Sequence, residues 1–121
     1  MADRFMADFQ ALLDNIQEVA DDSLKAGAKA GAELARDEWQ AGAPSMTGEY
    51  KKSIRYRVEG EGREVQAHVY STKPGLPHLL EKGHAKVGGG KTRAVEHIAP
   101  AADDGFELAE QVILATLGAR L

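Results

Sequence analysis

The stretch Asp3-Arg-Phe5-Met-Ala-Asp-Phe9-Gln-Ala-Leu12-Leu-Asp-Asn-Ile16, continued by Val19, Ala20, Leu24, Ala28, Gly31, Leu34, Ala35 and Trp39, sets the architecture. Its apolar residues recur three or four apart with no proline among them, which predicts one amphipathic helix over residues 3–41. At 1.5 Å per residue that helix is on the order of 55 Å long and outreaches a domain of this size. Its second half is lined by Ala26, Gly27, Ala28, Ala30, Gly31 and Ala32, so the spacing predicts either a kink near residues 27–31 or close approach of another backbone there. Gly42-Ala43-Pro44 ends the helix, because proline has no amide proton and turns the preceding residue away from helical angles.

Moving outward, residues 53–72 read as an antiparallel hairpin. Ile54, Tyr56 and Val58 alternate with Arg55, Arg57 and Glu59; after the turn at Gly60-Glu-Gly62-Arg63, Val65, Ala67 and Val69 alternate with Gln66, His68 and Tyr70. A lone hairpin is marginal in water, so its apolar face is expected on the helices or its edge in a neighbour's sheet. Lys73-Pro-Gly-Leu-Pro77 breaks the strand, and residues 78–82 fit a helical turn. Residues 83–94 follow as a glycine-rich segment carrying Lys86, Lys91 and Arg93; so little apolar surface predicts a mobile loop. Residues 95–99 suggest a further short strand stopped by Pro100, and a helix over 103–118 follows, with Asp103 or Asp104 as N-cap and Gly118 as stop. The class is α+β: a long N-terminal helix, a small antiparallel sheet built on a hairpin, a Gly/Lys-rich loop, and a C-terminal helix packed on one face of the sheet.

At 121 residues, the chain suits one domain with one core. No apolar run approaches the roughly 18–20 residues of a membrane span, and no secretory signal is visible. The absence of cysteine excludes disulfides and thiolate sites and fits a reducing compartment. The net charge of -4 is divided along the chain: residues 1–50 hold 4 basic and 10 acidic groups, 51–100 hold 10 and 5, and 101–121 hold 1 and 4. A basic middle between acidic ends gives complementary faces, or simply solvated helices and a sheet edge guarded by lysines.

Catalytic patterns are weak. Gly88-Gly-Gly-Lys91-Thr92 resembles the end of a phosphate-binding loop, but the required first glycine falls on Ala85. His68, His78, His84 and His97 have no zinc-ligand spacing, and no cofactor is called for. His78, Glu81 and His84 offer the one arrangement for a small metal-dependent hydrolase, while the basic middle with Tyr56 and Tyr70 offers a nucleic-acid-binding module without a recognition helix. Neither outweighs a non-enzymatic assembly role.

The order of short motifs carries a resemblance. Trp39, Ala43-Pro44, Thr47-Gly48-Glu49-Tyr50-Lys-Lys-Ser53-Ile54, the hairpin, Leu79-Leu80-Glu81-Lys82-Gly83-His84, and His97-Ile98-Ala99-Pro100-Ala101 before a last helix together resemble the tail-completion or head-to-tail joining proteins of long-tailed bacteriophages and prophages. The resemblance covers about residues 35–118. Leu79-Leu80 stands where that family has an aromatic, and His97-Ile98-Ala99 where it has Pro-Phe-Leu. What it implies is a virion protein, made in the host cytoplasm, that forms a homo-oligomeric ring, typically a hexamer. The ring would sit between the tail-tube protein and the head-connector or stopper protein, its lumen near phage DNA, with no membrane partner. Candidate contact residues are Thr47, Gly48, Tyr56, Tyr70, Leu79, Glu81, Gly83, His84, Lys86, Lys91 and Arg93. For Thr47-Gly48 and Glu81-x-Gly83, turn chemistry competes with partner contact.

Overall fold

In the computed structural model, residues 2–43, 48–73 and 98–121 are described. Helix α1 runs Ala2–Gly42, α2 Glu49–Ser53, strand β1 Ile54–Glu59, β2 Gln66–Ser71, and α3 Ile98–Arg120. The α+β layout expected from sequence is present, and α1 extends for 41 residues, about 60 Å.

Burial divides α1 in two. Every residue from 3 to 18 is exposed, and from Val19 onward a buried line runs through Ser23, Gly27, Gly31, Ala32, Ala35, Trp39 and Ala43. Against that line lies α3, antiparallel, with backbones nearly touching. A Cβ added at Gly31 would meet the Gly105 carbonyl at 2.5 Å, and one at Gly105 would meet the Gly31 carbonyl at 2.6 Å. Of the two outcomes the small residues allow, close packing is the one realised. Ser23 is buried there because its hydroxyl donates to the Ala20 carbonyl at 2.7 Å, which satisfies it within the helix. At the far end Arg120 pairs with Asp22 at 2.9 Å.

The two strands pair antiparallel with Ile54 opposite Ser71, Tyr56 opposite Val69 and Val58 opposite Ala67, all on the inner face. Strand β1 alternates as expected, while β2 does not: Ala67 on the inner face is exposed, whereas His68 and Tyr70 on the outer face are half-buried. The inner side of β2 is therefore only partly covered. Gly60 and Gly62, both at positive φ, bring the chain round through a 3-10 turn at Gly62–Glu64, and Lys25 of α1 holds that turn through Glu61 at 3.0 Å.

The core sits where α1, α2, β1 and the start of α3 converge: Trp39, Ala43, Tyr50, Ile54 and Ala101, with Val69 and Ile98 packed against them. The Trp39 indole N–H donates to the Tyr50 hydroxyl at 2.7 Å, so neither polar tip is buried unpaired. The Ser53 hydroxyl donates to the Tyr50 carbonyl at 2.5 Å, and Ser71 Oγ lies 2.9 Å from Ser53 Oγ. With the Ser53 proton already committed, Ser71 must be the donor of that pair.

Two sequence expectations are corrected at the start of α3. Ile98 and Ala99, assigned to a strand, open the helix instead, and Pro100 is accommodated because first-turn amides need no intrahelical acceptor. Asp103 and Asp104 therefore lie inside the helix rather than capping it, and Gly118 does not stop it. The rest of the proposed strand, residues 95–97, and the proposed loop, 83–94, lie outside the described residues.

Candidate functional site

Among the described residues two apolar surfaces stand out as open. The first is the N-terminal arm of α1, where Phe5, Met6, Phe9, Leu12, Leu13 and Ile16 are 40–66% exposed. Phe5 and Phe9, one turn apart, stack with centroids 5.9 Å apart. By helical spacing, these residues continue the face that α3 covers farther along, while Asp3, Arg4, Asp8, Asp14 and Glu18 fall outside the stripe. The arm is thus amphipathic with nothing against its apolar side among the described residues.

The second is a groove of about 360 Å³ with α1 as floor and β2 and α3 as walls. Gly31, Ala32 and Ala35 line the floor, Ala67 and Val69 one wall, and Ala102, Phe106 and Ala109 the other, with Trp39 at one end. Among the described residues it exists because the small side chains that bring α1 and α3 together do not fill the space beside the hairpin. Phe106, 72% exposed, divides it from a second hollow of about 200 Å³ bounded by Ile113 and Leu114.

Charges bracket these surfaces. Arg36 lies over the Tyr56 ring at 4.7 Å and Arg57 over Tyr70 at 5.4 Å. The half-buried Glu38 carboxyl is pushed above its ordinary pKa, first by burial and then by the Asp104 carboxyl across the α1–α3 contact. Its Oε2 is shut off from water without a hydrogen-bond partner among the described residues, as is His68 Nε2. No group of three or more His, Asp or Glu able to hold a metal occurs among the described residues.

Few of the residues singled out from sequence fall in these surfaces. Gly48 adopts φ +81°, a Cβ added there would meet nothing within 4 Å among the described residues, and its carbonyl accepts from the Lys52 amide at 3.2 Å, so it starts α2 as a turn glycine. Tyr56 faces inward under Arg36, and Tyr70 lies on the outer face under Arg57, so the two do not form one patch. Thr47, His78, Leu79, Glu81, Gly83, His84, Lys86, Lys91 and Arg93 lie outside the described residues. The groove was not read from sequence, since it joins residues of three separate elements. The open arm had a signal in the length of α1.

Among the described residues no helix is long and apolar enough to cross a membrane. Comparison with curated proteins finds no match, and neither does comparison with solved structures. Residues 3–83 match the model of the HK97-gp10-like family, described as "Bacteriophage HK97-gp10, putative tail-component". The match spans the whole of the arm, the buried half of α1, α2 and the hairpin, and ends at Gly83. With about two thirds of its length matched, this chain belongs to the HK97-gp10-like family of bacteriophage proteins.

Proposed function

We propose that the chain is a structural, non-enzymatic subunit of the virion, one domain that assembles as a homo-oligomeric ring, a hexamer, where the tail tube meets the head connector. The observation that carries this reading is the family match over α1 and the hairpin. A helix of 41 residues that leaves its first four turns unburied supports it, because such a surface is stable in water only at a cost that assembly removes. Partners on the two sides are the tail-tube protein and the connector or stopper. Thr47, Gly48, Tyr56, Tyr70, Leu79, Glu81, Gly83 and His84 belong to the contacts with them or with neighbouring copies. Lys86, Lys91 and Arg93 face the next ring or the DNA in the lumen.

The test is to remove the gene from the phage and view the lysate by electron microscopy. Unjoined heads and tails, rescued by the protein supplied in trans, are expected; normal joined particles would refute the junction role. Deleting residues 88–91 is expected to leave folded protein that no longer joins heads to tails. Full infectious yield from that deletion would remove the basic segment from the contact.

A further inference from the structure

We infer that the N-terminal arm of one copy docks into the groove of a second copy, head to tail. The inference rests on the reading of this chain as a subunit that meets its own copies, and it names the two surfaces that meet.

The arm and the groove are complementary in kind. The arm offers large side chains, Phe5, Phe9, Leu12 and Ile16, at helical spacing; the groove has a floor of glycine and alanine and an open wall at Ala67 and Val69. An amphipathic helix laid in an apolar groove through anchors at i, i+4 and i+7 is a recurring mode of recognition. The arm cannot reach the groove of its own chain. Both belong to one uninterrupted helix, and Phe5 is 30 residues from Ala35 on the groove floor, about 45 Å along the axis.

The areas are sufficient. Six large apolar side chains, each about half exposed, present on the order of 500 Å², and docking against an equal area buries on the order of 1,000 Å² in all, the lower bound for a specific interface. Along α3 the linings of the two hollows run from Ala102 to Leu114, with Phe106 and Leu114 more than 60% exposed, over about 18 Å, comparable with the roughly 17 Å from Phe5 to Ile16. Because donor and acceptor are different patches, the contact is heterologous: each copy offers an arm to one neighbour and a groove to the other. Such contacts close into a ring when the rotation per subunit allows.

The test uses the full-length protein and two single substitutions at exposed positions, Phe9→Ser in the arm and Phe106→Ser at the groove. Sedimentation equilibrium of the wild-type chain is expected to show concentration-dependent self-association, and each variant is expected to weaken it at least tenfold while melting as the wild type does in the dissociated state. Mixing the variants is decisive. The intact arm of the Phe106→Ser chain fits the intact groove of the Phe9→Ser chain, so the mixture is expected to form a dimer of one copy of each and nothing longer.

A wild-type chain that stays monomeric at millimolar concentration overturns the inference. So does a Phe106→Ser chain that associates like wild type, which is the result for arms pairing with each other or with a different protein. As an independent readout, the absence of native cysteine allows chains carrying both Gln10→Cys and Glu110→Cys, which keep Phe9 and Phe106, to be treated with a short bismaleimide. Cross-links between chains joining 10 to 110 are expected to exceed 10–10 and 110–110 links. Loss of these results with head-to-tail joining intact refutes the arm–groove contact alone; loss of joining is read separately in the phage.

Discussion

The two halves of α1 share one periodicity and one continuous apolar face, yet they end in different surroundings. From Val19 to Ala43 the face is built of Ser23, Gly27, Gly31, Ala32 and Ala35, and another helix lies against it backbone to backbone. From Phe5 to Ile16 the face is built of large side chains and is exposed. Side-chain volume sets the distance at which a helix can be met: small residues admit a neighbouring backbone, whereas large ones need sockets into which they can project. Within the described residues, the molecule has the close neighbour for the small half and keeps its sockets, in the groove, out of reach of the large half.

The sharpest way to break this contrast is in the core that anchors the small half. Ile54 is fully buried against Trp39 and Tyr50, and Ile54→Ala is expected to cost about 2–5 kcal/mol by denaturant unfolding. A loss below about 1 kcal/mol would mean that α1 and the hairpin do not share a cooperative core. Next in size is Gly31→Ala, which forces a Cβ against the Gly105 carbonyl and should destabilise by about 1–3 kcal/mol through overpacking. The same change at Gly118, a helical site where an added Cβ would meet nothing within 4 Å among the described residues, is expected to stabilise by up to about 1 kcal/mol. If both glycine variants moved stability in the same direction, close backbone packing would not be what distinguishes the two sites.

A smaller effect is expected at Glu38. Its pKa in the folded state is raised, so the folded chain holds the proton more tightly than the unfolded chain. The stability contributed by that proton is complete below the ordinary carboxyl pKa and is lost as pH rises through the raised value. Glu38→Gln should therefore flatten this decline and raise the melting temperature at neutral pH. A variant that melts below wild type at pH 7 would show that the carboxylate makes a favourable contact with α3. The smallest effect is expected in the arm, where Phe9→Ser should change monomer stability by no more than about 0.5 kcal/mol, since nothing else in the described chain packs on that stripe. A larger loss would mean that the arm is folded onto the body and that the two halves of α1 are not different after all.

Much of the architecture was legible before the structure. The three-to-four spacing from Phe5 to Trp39 gave the long helix, and the alternation around Gly60 and Gly62 gave the hairpin. The glycine and alanine run gave the close packing as one of two outcomes. The start of α3 was not legible, because Val95, Ile98 and Pro100 look locally like a strand and its terminator. Ile98 and Ala101 are drawn into the helix by packing on the core, and a proline in the first turn forfeits no hydrogen bond. Asp103 and Asp104 misled for the same reason: a capping residue type is informative only if the helix begins there.

The sequence by itself determined the long helix, the hairpin and the body of α3, and which face of α1 is apolar, because those follow from residue spacing and backbone sterics. Only the tertiary structure decided that α3 covers the second half of that face and leaves the first half open, and that a groove remains beside the hairpin. Burial is a property of which elements come together, and the distance between them is set by the volumes of side chains far apart in the chain.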